Sequence, residues 1–142
     1  MNLKKVLISV VVAAVAIQFF PYGKDHTNPP IVSEPQWDSP KTKELFKNAC
    51  ANCHSHETIY PAYSNIAPIS WLIASDVAEG REHFNVSMWG VQKKNKGKDA
   101  AQEVREGEMP PFFYLPTHPE AKLSDVQKAE LASGLEKTFG KE

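Results

Sequence analysis

The two cysteines of this 142-residue chain both fall in the run Cys50-Ala51-Asn52-Cys53-His54. Thiols three residues apart share one face of a helical turn, and the imidazole that follows is carried by the same turn. C-x-x-C-H is the spacing for covalent haem c attachment, in which the two sulfurs add to the vinyl groups and the histidine becomes the proximal iron ligand. A chain so constrained folds around a flat apolar disc. Three other readings of the pair are weaker. A disulfide between Cys50 and Cys53 closes a very small loop and stabilises little. A thioredoxin-like redox pair needs a βαβ context, and no strand signal precedes the motif. A zinc site needs four ligands; His54 and His56 are close by, but there is no second cysteine pair at finger spacing.

Around this motif the chain has the length of one domain, which excludes a two-domain enzyme with separate cofactor and substrate halves. Its 16 basic and 17 acidic residues lack the positive footprint of a nucleic-acid binder. Lys4 and Lys5 precede an apolar run from Val6 to Phe20, interrupted by Ser9 and Gln18 and stopped by Pro21. This is the charged region plus apolar region of an exported protein. The 18 residues from Leu3 to Phe20 make about 27 Å of α-helix against a hydrocarbon core of about 30 Å. Residues 1–20 are therefore read as a signal anchor in the membrane. Cleavage near Ala14-Val15-Ala16 is the alternative, and would release a soluble periplasmic or secreted protein. The lysines keep their end in the cytoplasm, which puts the remainder on the periplasmic side of the inner membrane. Residues 21–40 carry five prolines and read as a semi-rigid tether, leaving 41–142 as the haem domain. Without Lys4 and Lys5 the balance is 14 basic to 17 acidic groups, so no polybasic lipid-binding patch adjoins the anchor.

Apolar spacing predicts helices over 42–53, 68–82, 99–106 and 124–139. The last has the clearest start, because Ser124 with Gln127 forms a capping box. Leu131 and Leu135 give its buried stripe and Gly140 its C-terminal glycine. Gly80 leaves the end of the second helix uncertain, while Gly97 and Gly107 bracket the third. No stretch alternates with period two, so the fold class is all-α: three or four short helices, joined by long proline-bearing loops.

The ligand opposite His54 separates electron transfer from gas binding or peroxide chemistry. Met109 is the preferred candidate. It follows the third helix in Gly107-Glu108-Met109-Pro110-Pro111, where two prolines restrict the backbone and present the side chain rigidly. Phe112, Phe113 and Tyr114 then supply an apolar wall. Met88 is the second choice; His83 and His118 would give bis-histidine iron. His56 is too near His54 to reach the far face, and His26 belongs to the tether.

Several blocks together carry a family likeness: Cys50 to Ser55, Glu57-Thr58, Tyr60 to Pro68, Ser70-Trp71, Asp76-Val77, Glu79-Gly80-Arg81 and Met109-Pro110-Pro111. Over about residues 40–139 the chain resembles the bacterial haem-binding-domain family of small c-type cytochromes. The resemblance implies a cytochrome c-like helical fold with His54 and Met109 on the iron, behind an N-terminal hydrophobic segment. Tyr63 and Trp71, with Tyr60 and Asn65, are candidates to bond the haem propionates or to orient His54, whose Nδ1 proton would go to a backbone carbonyl near Pro68. Arg81 is a candidate propionate partner or a surface ion pair with Glu79 or Glu82. Lys93, Lys94, Lys96 and Lys98 form a solvated loop or a docking surface for an acidic redox partner.

The expectation is a monohaem one-electron carrier for protein redox partners, attached to the membrane by its amino end and without catalytic turnover. The alternative is a haem-based sensor or peroxidase-like protein with a displaceable distal ligand.

Overall fold

The capping box read at Ser124 is formed: its Oγ accepts from Gln127 N at 3.3 Å, and Gln127 Oε1 accepts from Ser124 N at 2.9 Å. In the computed structural model, which describes residues 2–140, six α-helices follow one another: α1 Leu3–Ala16, α2 Pro40–Ala49, α3 Ala51–His54, α4 Ile69–His83, α5 Ala100–Glu106 and α6 Asp125–Phe139. The described residues contain no strand, only an isolated bridge between Ser33 and Met88. The all-α class is as expected; the elements differ in detail.

The helix read over 42–53 is two helices. Ser39 caps α2 by accepting from Thr42 N at 3.1 Å, with Pro40 in the first turn where its missing N–H costs nothing. The backbone leaves the helical region at Cys50 (φ −128°, ψ −31°), which ends α2 and re-aims the short α3. Past Gly80, α4 continues to His83, because that glycine is where α3 crosses it. α5 stops at Gly107, whose φ of 80° favours a residue without a Cβ. Glu108 N and Met109 N then both donate to Glu103 O, at 3.0 and 3.2 Å, and fix the start of the Met-Pro-Pro loop.

α6 packs against α2 and α5, burying Leu131, Leu135 and Phe139 against Leu45, Phe46 and Val104. Phe139 joins rings from four segments, with centroids 4.6 Å from Trp89, 5.7 Å from Trp37, 5.9 Å from Phe84 and 6.3 Å from Phe46.

Two expectations for the amino-terminal part are corrected. Residues 21–40 are not a free tether but a strap on the domain. Val32 N donates to Ser87 O at 2.9 Å, Trp89 N to Ser33 O at 3.2 Å and Asp38 N to Thr138 Oγ1 at 3.1 Å, while Pro35 is buried and Trp37 lies 5.0 Å from Phe46. Proline favours extended backbone, and an extended backbone with a Trp among its prolines can pair and pack along a surface instead of standing off it. The apolar run is also not one 18-residue helix. α1 covers 14 residues, about 21 Å, and tightens into a 3-10 turn over Ile17–Phe19. No helix among the described residues is long and apolar enough to cross a membrane.

Candidate cofactor site

A cavity of about 430 Å³ opens beside α3, within the range of small-molecule and cofactor sites. Cys50, Cys53 and His54 line it, and so do Asp76, Glu79, Gly80 and His83 of α4. Met109, Pro111, Phe113 and Tyr114 of the following loop complete the wall, with apolar support from Val104 and Leu135. Four of the residues selected from sequence, Cys50, Cys53, His54 and Met109, thus face one space.

His54 is buried and held by its Nδ1, which donates to Gly80 O at 2.9 Å and Phe84 O at 3.1 Å. The acceptors lie at the carboxyl end of α4, not near Pro68. Pro68 O, at the start of α4, is already used by Trp71 N and Leu72 N, while at the far end Gly80 O takes the imidazole as a second donor beside Phe84 N, and Phe84 O lies just past the last helical residue. The ring also stacks on Phe84, 4.2 Å between centroids at 15°. Burial pushes the imidazole pKa down, partly offset by the two carbonyl bonds. A neutral imidazole with Nδ1 engaged presents Nε2 as its lone-pair donor, the form that ligates a metal.

Both thiols are free. Burial pushes Cys50 up to about 12, helped by its neighbour Cys53. Cys53 is pushed up to about 11 by burial and then by Asp76, against an opposing pull from Arg81. The turn that carries them sits tightly on α4. A Cβ on Gly80 would meet Cys53 O at 2.6 Å and Cys53 Cβ at 2.8 Å.

Asn52, a variable position of the motif, does more than fill space. Its Nδ2 donates to Tyr114 Oη at 2.6 Å, its Oδ1 accepts from Ile59 N at 2.9 Å, and its backbone carbonyl accepts from Thr58 Oγ1 at 2.7 Å. The cysteine turn is thereby tied to the loop that carries Met109. Tyr114, read from sequence only as an apolar wall, has its phenol pushed up to about 12, by burial first, with the Asn52 bond opposing. Its ring stacks on His118 at 3.7 Å. A contact between residues 52 and 114 leaves no local signal in the sequence.

Other candidates are placed elsewhere. Trp71 and Tyr63 do not line the cavity. Trp71 lies in the first turn of α4, its ring 6.4 Å from Phe20 and edge-on to it, and Tyr63 lies in a 3-10 turn before that helix. Closeness to the motif in sequence does not survive the length of α4, since the cavity is at its other end. Tyr60 stacks on His26 at 4.3 Å. Arg81 is neither a cavity residue nor a surface ion pair: it donates to Ser55 O, Asn28 Oδ1 and Thr58 Oγ1 at 2.8–2.9 Å and pins the strap to the motif. Met88 and His118 are outside the cavity, and His56 Nδ1 is 2.8 Å from Pro30 O. His83 and Lys96 are at the cavity.

The donor set suits a haem. Two thiols on one turn, an oriented neutral imidazole and a thioether share a partly apolar cavity with charged groups on its border. No group of three or more His, Cys, Asp and Glu residues that could hold a bare metal ion exists among the described residues. A family model described as Haem-binding domain matches residues 12–137. No curated protein and no solved structure matches the chain.

Proposed function

The chain belongs to the haem-binding-domain family and binds haem, and on that premise we propose that it is a monohaem c-type cytochrome carrying one electron at a time between protein partners outside the inner membrane. When bound, haem supplies an iron that changes oxidation state by one electron. Cys50 and Cys53 hold it covalently. His54 ligates the iron through Nε2, kept in that tautomer by Gly80 O and Phe84 O. Met109 is the second ligand, and its thioether favours the ferrous state over what a second histidine would give. With His54 and Met109 both holding the iron, the protein would carry electrons without turning over a substrate.

The observation that carries this reading is that Met109 lines the same cavity as Cys50, Cys53 and His54, on a loop whose start is fixed by Glu103 O. Residues 3–20 hold the domain at the membrane, with α1 entering the bilayer from the domain's side without crossing it. Support for this lies in α1, whose apolar side chains from Leu7 to Val15 are exposed and have no core to enter.

The test is spectroscopic. The oxidised protein is expected to show the weak long-wavelength sulfur-to-iron band, and the reduced protein to leave carbon monoxide unbound without denaturant. Met109→Ala is expected to lose the band, bind carbon monoxide rapidly and shift to a lower potential. Rapid carbon monoxide binding by the unaltered protein, with no such band, would contradict the carrier and favour a sensor or peroxidase-like protein.

A further inference from the structure

The junction between α1 and the domain is not a hinge. Gln18 reads the backbone of Ala67 at two points: Nε2 donates to Ala67 O at 2.9 Å, and Ala67 N donates to Oε1 at 3.0 Å. The same amide also donates to Ala14 O inside α1, at 2.9 Å. Phe20 sets its ring against Trp71, and Lys24 Nζ donates to Gln18 O. The apolar helix is therefore fixed onto one patch of the domain, the segment leading into α4.

That patch has the composition of a surface that meets lipid. From Thr58 to Ser75 no residue carries a charge. Ile66, Ile69 and Leu72 are 53, 44 and 54% exposed, and Phe19, Phe20 and Tyr22 of the adjoining segment are exposed too. A water-facing surface normally intersperses charges, and a contiguous exposed apolar patch marks an interaction site. Tyr22, Tyr60, Tyr63 and Trp71 add the side chains that favour the headgroup level.

We infer that this face, centred on Ile66, Ile69 and Leu72, rests in the interface of the bilayer that holds α1, so that the domain is docked on the membrane and not suspended from it. The inference rests on the anchoring reading of residues 3–20. Lipid is the occupant because the face, uncharged from Thr58 to Ser75, is continuous with α1, whose apolar side chains are exposed, and because Gln18, Phe20 and Lys24 hold the two together. The cavity begins on α4 at Asp76, about 10 Å along the helix from Ile69, and runs from there to His83. Docking therefore holds the haem site at a set remove from the headgroups.

The test uses the full-length haem-loaded protein in phosphatidylethanolamine and phosphatidylglycerol vesicles, with Ile69→Cys and, on α6, Ala129→Cys. Each variant is labelled with a membrane-impermeant maleimide, and its rate is referred to that of the same variant unfolded in urea. Ile69→Cys is expected to react at least about tenfold more slowly than Ala129→Cys, as burial of an isoleucine position in an apolar phase requires. Equal rates in protein that floats with the vesicles would overturn docking and leave anchoring intact. Failure to float would overturn anchoring, and docking with it. Protection that disappears when the protein is diluted into more lipid would assign the face to a second copy of the chain and also overturn docking. Adding Ile66→Ser and Leu72→Ser should leave the protein floating while the reactivity of Ile69→Cys rises, and an unchanged rate would overturn docking.

Discussion

Gly80 governs how near the cysteine turn can come to α4. A glycine inside a helix costs about 1 kcal/mol relative to alanine, so on propensity alone Gly80→Ala would stabilise. The atoms a Cβ would meet, at 2.6 and 2.8 Å, are a backbone oxygen and a Cβ of Cys53, and neither can swing aside. Gly80→Ala is therefore expected to destabilise by about 1–3 kcal/mol and to lower haem loading, read by urea unfolding and by Soret absorbance per chain. A more stable, fully loaded variant would contradict the packing argument. Tyr114 gives a second prediction at this scale. Its phenol is pushed up to about 12, so the folded state holds that proton more tightly than the unfolded chain. Its contribution to stability is full below the ordinary tyrosine range near pH 10 and is lost as pH rises from about 10 toward 12. In an absorbance titration one of the four tyrosines should ionise late, and Tyr114→Phe should remove that late step.

The elements that were legible in the sequence are those whose signals are local. Ser124 and Gln127 cap α6 from three residues apart, and Gly107 stops α5 through its own φ. The strap was not legible, because proline content sets the backbone preference of residues 21–40 but not what the extended chain lies against. Trp37 is what converts it from tether to strap, through its contacts with Phe46 and Phe139. Trp37→Ala is accordingly expected to cost about 3 kcal/mol in chemical unfolding. A change within about 0.5 kcal/mol, the range of ordinary surface substitutions, would mean that the strap contributes nothing to the domain. The break at Cys50 was hidden for a different reason. Leu45, Phe46, Ala49 and Cys53 keep helical spacing across it, so periodicity runs on where the backbone does not.

Over the whole molecule, the cavity was legible where chemistry restricts the residue types. Two cysteines and a histidine at one spacing, and a methionine held before two prolines, can be recognised without knowing the fold. Residues that support them by contact could not be. The acceptors of His54 Nδ1 lie at the far end of α4 from Pro68, Asn52 meets Tyr114 across the cavity, and Trp71 is drawn to Phe20 instead of to the site. All of this serves one central claim, that the attachment turn carries a covalently held haem. Protein made with c-type maturation machinery should be extracted with acidified acetone and assayed as its pyridine haemochrome. The colour is expected to stay with the polypeptide, at one haem per chain, and Cys50→Ala/Cys53→Ala to lose it to the solvent. Haem that extracts from the unaltered protein, or a colourless protein with both thiols free, would contradict it.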